Sequence, residues 1–208
     1  MIHIFSSKGQ VHLDGHKELS KNEPVVELVN NREREYIFAD LPDIGYSTDI
    51  DTVMASSYQV KKQLQQIVKI EQPITNTLLY KRILRIWNLT RVTTRLQVFI
   101  DNLLEDAYKD PLSGDTIIYW EDEEKAKDCD FYRINSKRDI LDIPILEVMS
   151  AARYAIEQQI SMPTEDLKRL TSQLLGFSRK GNNLDMVTEQ TIQLLVDQGI
   201  FSHANGMV

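Results

Sequence analysis

Residues 72–100, QPITNTLLYKRILRIWNLTRVTTRLQVFI, contain five cations (Lys81, Arg82, Arg85, Arg91 and Arg95) and no aspartate or glutamate. The 208-residue chain has 24 Lys+Arg against 31 Asp+Glu, so the residues outside this stretch carry 19 basic and 31 acidic side chains. A chain of net charge −7 therefore sets one segment of +5 against −12 elsewhere. Such segregation points to an anionic partner for the basic segment. The same run also suits a solvated helix face or a face that docks an acidic protein, and those readings stay open.

Apolar periodicity gives the stretch its shape. Leu78, Leu79, Ile83, Ile86 and Trp87 recur at helical spacing and form one face. Thr75 suits the cap of this helix, and Asn88, which tolerates a left-handed backbone, suits its end. Thr90 is then expected to cap a second helix with apolar positions Val92, Leu96, Phe99, Ile100, Leu103 and Leu104. Two helices across a short turn make a helix-turn-helix, whose second helix presents its first turn to the major groove when it binds DNA. On this reading Arg91 and Arg95 sit at the groove with Thr93 and Thr94 between them, and Lys81, Arg82 and Arg85 lie toward phosphates. If four of the five cations neutralise phosphates on a duplex, the logarithm of affinity falls with log salt at a slope of about −3.6.

Length and composition suit one large or two small soluble domains: 24.1 kDa, 42% hydrophobic and 26% charged. No run of about 18 apolar residues is present, so no membrane partner is expected. The opening MIHIFSSKGQ returns to polar residues too early for a signal peptide. With a single cysteine, Cys129, no internal disulfide can form, and a cytoplasmic location is expected.

Residues 1–46 read as a β-hairpin region. Residues 2–5 and 10–13 alternate around one turn, and residues 25–29 and 36–39 flank Asn30-Asn31-Arg32-Glu33 as a second. Residues 41–45 read as a linker. His12 and His16 lie four apart, but in a strand-and-loop context with Gly15 between them, and no metal site is expected. A helix opening at Ser56 or Ser57 should end near Glu71-Gln72-Pro73. After the helix-turn-helix, Ala107-Tyr108-Lys109 and residues 116–120 surround a turn at Asp110-Pro111 and read as a β wing. Trp120 suits a buried wing-to-core role better than stacking on nucleic acid, because it extends a regular strand. The acid-rich EDEEKAKDCD of residues 121–130 reads as a solvated loop that repels phosphate. Its acids should raise the Cys129 thiol and keep it unreactive.

The second half repeats the plan. Residues 143–159 read as a helix, Thr164 opens a second, and a third should run from about Asn183 to Gln198 and stop at Gly199. Ile86-Trp87-Asn88-Leu89-Thr90-Arg91 aligns without gaps on Leu174-Leu175-Gly176-Phe177-Ser178-Arg179. Both turns run Asn or Gly, apolar, Thr or Ser, then Arg, which implies tandem modules. Arg179 and Lys180 on the second turn would extend a phosphate track. The second wing is expected to be reduced to Ile200-Phe201. The expected fold is therefore mainly α with small β parts, an α+β chain of tandem winged helix-turn-helix modules. Its divisions are residues 1–46 (β-hairpin region and linker), 47–136 (first module) and 137–208 (second module).

The segments IVKIEQPITNTLLYKRILRIWNLTR, IIYW, IPILEVMSAARYAIEQ and LLGFSR, in that order, resemble a bacterial domain of unknown function. That domain is found at the C-terminal end of large superfamily I helicase-like proteins, which often also carry a restriction-endonuclease-like domain. The resemblance spans roughly residues 55 to 203 and rests on helix spacing, Glu71-Gln72-Pro73-Ile74 and the Trp-Asn-Leu-Thr-Arg turn. It implies a role in DNA or RNA processing. The chain itself lacks a G-x-x-x-x-G-K-[ST] phosphate loop and shows no catalytic constellation, so no cofactor and no enzymatic activity are expected. The expectation is a non-catalytic nucleic-acid-binding accessory module, DNA favoured over RNA, working with a helicase or nuclease partner. The rival is a protein-interaction or homodimerisation module.

Overall fold

The computed structural model describes residues 30–46, 48–113, 116–134, 137–157, 159, 161–202 and 207–208. The expected strands of residues 2–29 and the four histidines His3, His12, His16 and His203 lie outside the described residues. The described chain is α+β, with short strands joining two groups of helices.

The first group holds α1 (Ile50–Ala55), α2 (Ser57–Glu71), β2 (Ile74–Thr75), α3 (Asn76–Ile86), α4 (Thr94–Leu103), β3 (Tyr108–Lys109) and β4 (Ile118–Trp120). Strand β1 (Glu33–Glu35) precedes it. β2, β4 and β3 form an antiparallel sheet in that spatial order, with Ile74 opposite Tyr119 and Tyr108 opposite Trp120. The apolar stripe read from the sequence is the core: Leu78, Leu79, Ile83, Ile86 and Trp87 of α3 and its cap are buried with Leu64, Ile67, Leu96 and Ile100. Thr75 caps α3 as expected, its hydroxyl accepting from the Leu78 amide. Trp120 is buried, its indole N–H donating to Asp110 at 3.2 Å.

Several expectations are corrected. The helix after the basic turn opens at Thr94, not Arg91, and Thr93 caps it by accepting from the Leu96 amide. Thr90 loses that role because the chain bends at Thr90 and Arg91 and turns helical only after the extended Thr93, whose hydroxyl reaches a free amide of the first turn. The second hairpin is absent among the described residues. Residues 36–39 are not a strand, and β1 instead pairs in parallel with β5 (Tyr132–Ile134), which follows β4 in the chain. The linker at residues 41–45 is packed: Leu41 and Ile44 lie against the first core, and the Ile44 amide donates to the Ile86 carbonyl. The acid-rich loop contains a short helix, α5 (Glu123–Lys127), capped by Asp122, whose carboxylate accepts from the Lys125 amide.

The second group holds α6 (Ile145–Glu157), α7 (Thr164–Leu174) and α8 (Asn182–Asp197). Element bounds in the two groups keep a constant distance. α2 and α6 open at 57 and 145, α3 and α7 run 76–86 and 164–174, and α4 and α8 open at 94 and 182, each pair 88 residues apart. The helix stops agree atom by atom. Asn88 (φ 51°) and Gly176 (φ 88°) are left-handed, and the Leu89 and Phe177 amides both close on the carbonyl five residues back, Leu84 and Ser172, at 2.9 Å. This is a left-handed cap satisfying the last carbonyls of each helix. The ungapped alignment of the two turns is therefore met in backbone geometry. Ile200-Phe201 forms no strand, however. Met207–Val208 instead returns antiparallel to Met162-Pro163, the positions 88 residues after Ile74-Thr75.

Candidate nucleic-acid interface

The five cations of residues 72–100 do not share one environment. Arg82 turns inward: its guanidinium donates to Glu71, which is fully buried, at 2.9–3.1 Å, and to the Tyr36 hydroxyl at 3.0 Å. Lys81 reaches the turn ahead of α6 and donates to both oxygens of buried Asp142, at 2.6 and 2.7 Å. Each already neutralises a carboxylate that has left water, which a phosphate would have to displace. Helical position alone cannot distinguish a solvated cation from one facing a buried acid contributed from elsewhere in the chain.

The other three remain at the surface. Arg85 is exposed near the ring of Phe38, 5.3 Å from its centroid. Arg91, exposed on the turn, forms no ion pair among the described residues. Arg95 stands in the first turn of α4 and meets Asp51 of α1 at 2.8 Å, both side chains more than half exposed. Such a pair is weak and salt-screened, so it competes poorly with phosphate. Thr94 is exposed beside Arg95, whereas the Thr93 hydroxyl is engaged as the cap. In the second group Arg179 and Lys180 are both exposed and form no ion pair among the described residues. Arg91 and Arg179 occupy the same position of the repeated turn, three residues past the left-handed residue.

The buried charges form a cluster that sequence reasoning missed. Glu147, at the start of α6, is fully buried and accepts from the backbone and guanidinium of Arg133 and from the guanidinium of Arg138, the latter at 2.8 and 2.9 Å. Arg133 donates onward to the carbonyls of Glu71, Gln72 and Pro73. Tyr36 lies under the Arg138 guanidinium (4.3 Å) and close to Arg133 (4.9 Å), and its hydroxyl bonds Glu71. Burial pushes the Tyr36 hydroxyl up to about 12, with the Glu71 charge adding to it. Burial alone would raise the Glu147 carboxyl, but Arg133 and Arg138 hold it down at about 2. One signal was available: Glu71-Gln72-Pro73-Ile74 is the segment that Arg133 and Arg82 grip.

No group of three or more potential metal ligands occurs among the described residues. No helix among them is long and apolar enough to cross a membrane. The Cys129 thiol is pushed up to about 12, by burial first and by Glu147 next, so the neighbouring acids of its own loop are not the main cause. At pH 8 it should hold about three orders of magnitude less thiolate than an ordinary thiol of pKa about 8.5. Iodoacetamide should therefore label the folded protein slowly and the denatured protein fast, as mass spectrometry over time can show. Equal rates would contradict the half-buried, desolvated placement.

A family model described as "Protein of unknown function (DUF3320)" matches residues 55–98. The match runs from the end of α1 into α4 and takes in the basic turn. It agrees with the resemblance to a domain of unknown function, over less than half of the chain. No curated protein and no solved structure matches the chain.

Proposed function

We propose that this chain is a non-catalytic nucleic-acid-binding module built of two winged-helix repeats, acting beside a helicase or nuclease. The order helix, strand, helix, helix, strand, strand across residues 57–120, with the first strand hydrogen-bonded to the last, supports a winged helix-turn-helix for the first repeat. The turn from Trp87 to Thr93 is longer than the three or four residues of the simplest such unit. The observation that carries the reading is the recurrence of an exposed arginine at one position of both turns, Arg91 and Arg179, the first with Arg95 and the second with Lys180 beside it. In this assignment α4 is the groove helix, Arg91, Thr94 and Arg95 contact it, and Arg85 reaches a flanking phosphate. The absence of a phosphate loop in the sequence supports the non-catalytic part, and the resemblance supports the helicase or nuclease partner.

Protein docking stands as the second reading because Val98, half exposed, lies one turn after Arg95, and Arg95 already pairs with the carboxylate of Asp51. Fluorescence anisotropy of labelled duplex and single strands, at two salt concentrations, separates the two. Nucleic-acid binding that weakens in an Arg91→Ala/Arg95→Ala variant supports the first. An absence of binding at low salt, with loss of a protein complex in that variant, supports the second.

A further inference from the structure

Beyond Arg95, α4 turns two uncharged side chains outward. Val98 and Asn102 are both exposed, and the spacings from Arg95 to Val98 and on to Asn102 place all three on one side of the helix. Val98 is 53% exposed, whereas Leu96 and Ile100 of the same helix are fully buried. An exposed β-branched residue adds no burial and lowers helix propensity, so folding does not account for it. The Asn102 amide forms no hydrogen bond among the described residues. Its acidic neighbour faces inward: the Asp101 carboxylate accepts from the Tyr80 hydroxyl at 2.7 and 2.9 Å and from the Tyr119 hydroxyl at 3.2 Å. Exposed Glu105 and Asp106 bound this face where α4 ends. The matching positions of α8, Met186 and Gln190, are exposed too, but they line a cleft shared with Leu112 and Thr116 of the first wing.

We propose that α4 reads base edges in the major groove of duplex DNA, Asn102 hydrogen-bonding an adenine and Val98 packing on a thymine methyl. Base readout presupposes the nucleic-acid reading above and adds a sequence preference to it. The chemistry of the two side chains selects the bases. A carboxamide offers one donor and one acceptor side by side, the complement of adenine N7 and its 6-amino group. A short branched apolar side chain fits the thymine methyl, the apolar group on the major-groove edge. Four residues of helix advance about 6 Å, so the two bases lie within about two base-pair steps of about 3.4 Å. Arg91 and Arg95, at the start of the same helix, hold it to the phosphates and leave the uncharged pair to discriminate. Duplex RNA is excluded on two grounds: its major groove is too deep and narrow for side chains, and uracil has no methyl. Readout falls to α4 alone, because the α8 face is turned to the first wing.

The probe is a pool of duplex DNA with a randomised central segment, selected on the whole chain at low salt and sequenced. Selected duplexes should share an adenine and a thymine within about two base pairs of each other. Changing the adenine's A·T pair to G·C should weaken wild-type binding, read by anisotropy, about tenfold. Deoxyuridine in place of the thymine removes only the methyl and should weaken it several-fold. Asn102→Ala should bind the A·T and G·C duplexes within about twofold of each other at an unchanged salt slope, because the amide carries no charge. Val98→Ala should become insensitive to deoxyuridine. Both side chains are exposed, so neither variant should lower the melting temperature, and Gln190→Ala should keep the full wild-type preference. Duplex binding with no shared sequence, or full discrimination by Asn102→Ala, overturns base readout while the nucleic-acid reading stands. Equal competition by duplex RNA does the same. No binding of the pool at low salt removes both.

Discussion

Replacing Glu147 by alanine is expected to lower the unfolding free energy by about 3–5 kcal/mol, the range for removing one partner of a buried ion pair. The carboxylate is wholly buried and takes hydrogen bonds from two arginines that are themselves almost fully buried. Truncation removes the buried carboxylate that faces both guanidiniums, so the cost exceeds the net worth of the pair. The consequence spreads, because Arg133 also holds the carbonyls of Glu71, Gln72 and Pro73 and so joins α6 to the turn between α2 and β2. Urea unfolding should show a lower midpoint at an unchanged slope. A change under about 1 kcal/mol would mean the cluster is not the junction described here.

The pH dependence of stability carries the same signature. The Glu147 carboxyl is held at about 2 in the folded chain against an ordinary 4.5. A carboxyl with a depressed folded value contributes stability that is fully present above the unfolded value and is lost as pH falls through the folded one. Stability should therefore decline from about pH 4.5 toward pH 2, and Glu147→Gln should remove much of that limb while lowering stability near neutrality.

What the sequence made legible was local. The stripe Leu78, Leu79, Ile83, Ile86 and Trp87, the Thr75 cap and the left-handed stop at Asn88 follow from periodicity and backbone chemistry, and all appear in the fold. The repeated turn was visible because Gly176 and Asn88 answer the same conformational demand. Long-range pairing was not legible. β1 joins β5 across about a hundred residues in parallel, and nothing in Glu33-Arg34-Glu35 announces that partner. The candidate site divided for the same reason. Arg85 and Arg91 sit at the surface as read, whereas Arg82 and Lys81 find Glu71 and Asp142, acids outside the basic stretch. A one-turn error also mattered: placing the cap at Thr90 made Thr93 a groove residue, when its hydroxyl satisfies the Leu96 amide.

That division alters the binding expected under the nucleic-acid proposal. With Arg82 and Lys81 engaged elsewhere, three cations of the first repeat remain for phosphate: Arg85, Arg91 and Arg95. The slope of log affinity against log salt on a duplex should then be about −2.7 rather than about −3.6, at roughly −0.9 per phosphate. Raising salt from about 50 to about 200 mM should weaken binding about 40-fold on that slope. Removing Arg91 and Arg95 together should flatten the slope to about −0.9, and at about 50 mM should reduce affinity by up to about two orders of magnitude. The fold should survive, because both side chains are exposed and only the weak pair with Asp51 is lost. Arg82→Ala separates track from scaffold in the same assay. It should leave the salt slope unchanged while destabilising the chain, since it strips buried Glu71 of its cation. An unchanged slope in Arg91→Ala/Arg95→Ala, or no binding by the wild type at low salt, would remove α4 from any groove and leave the basic turn as a protein-docking face.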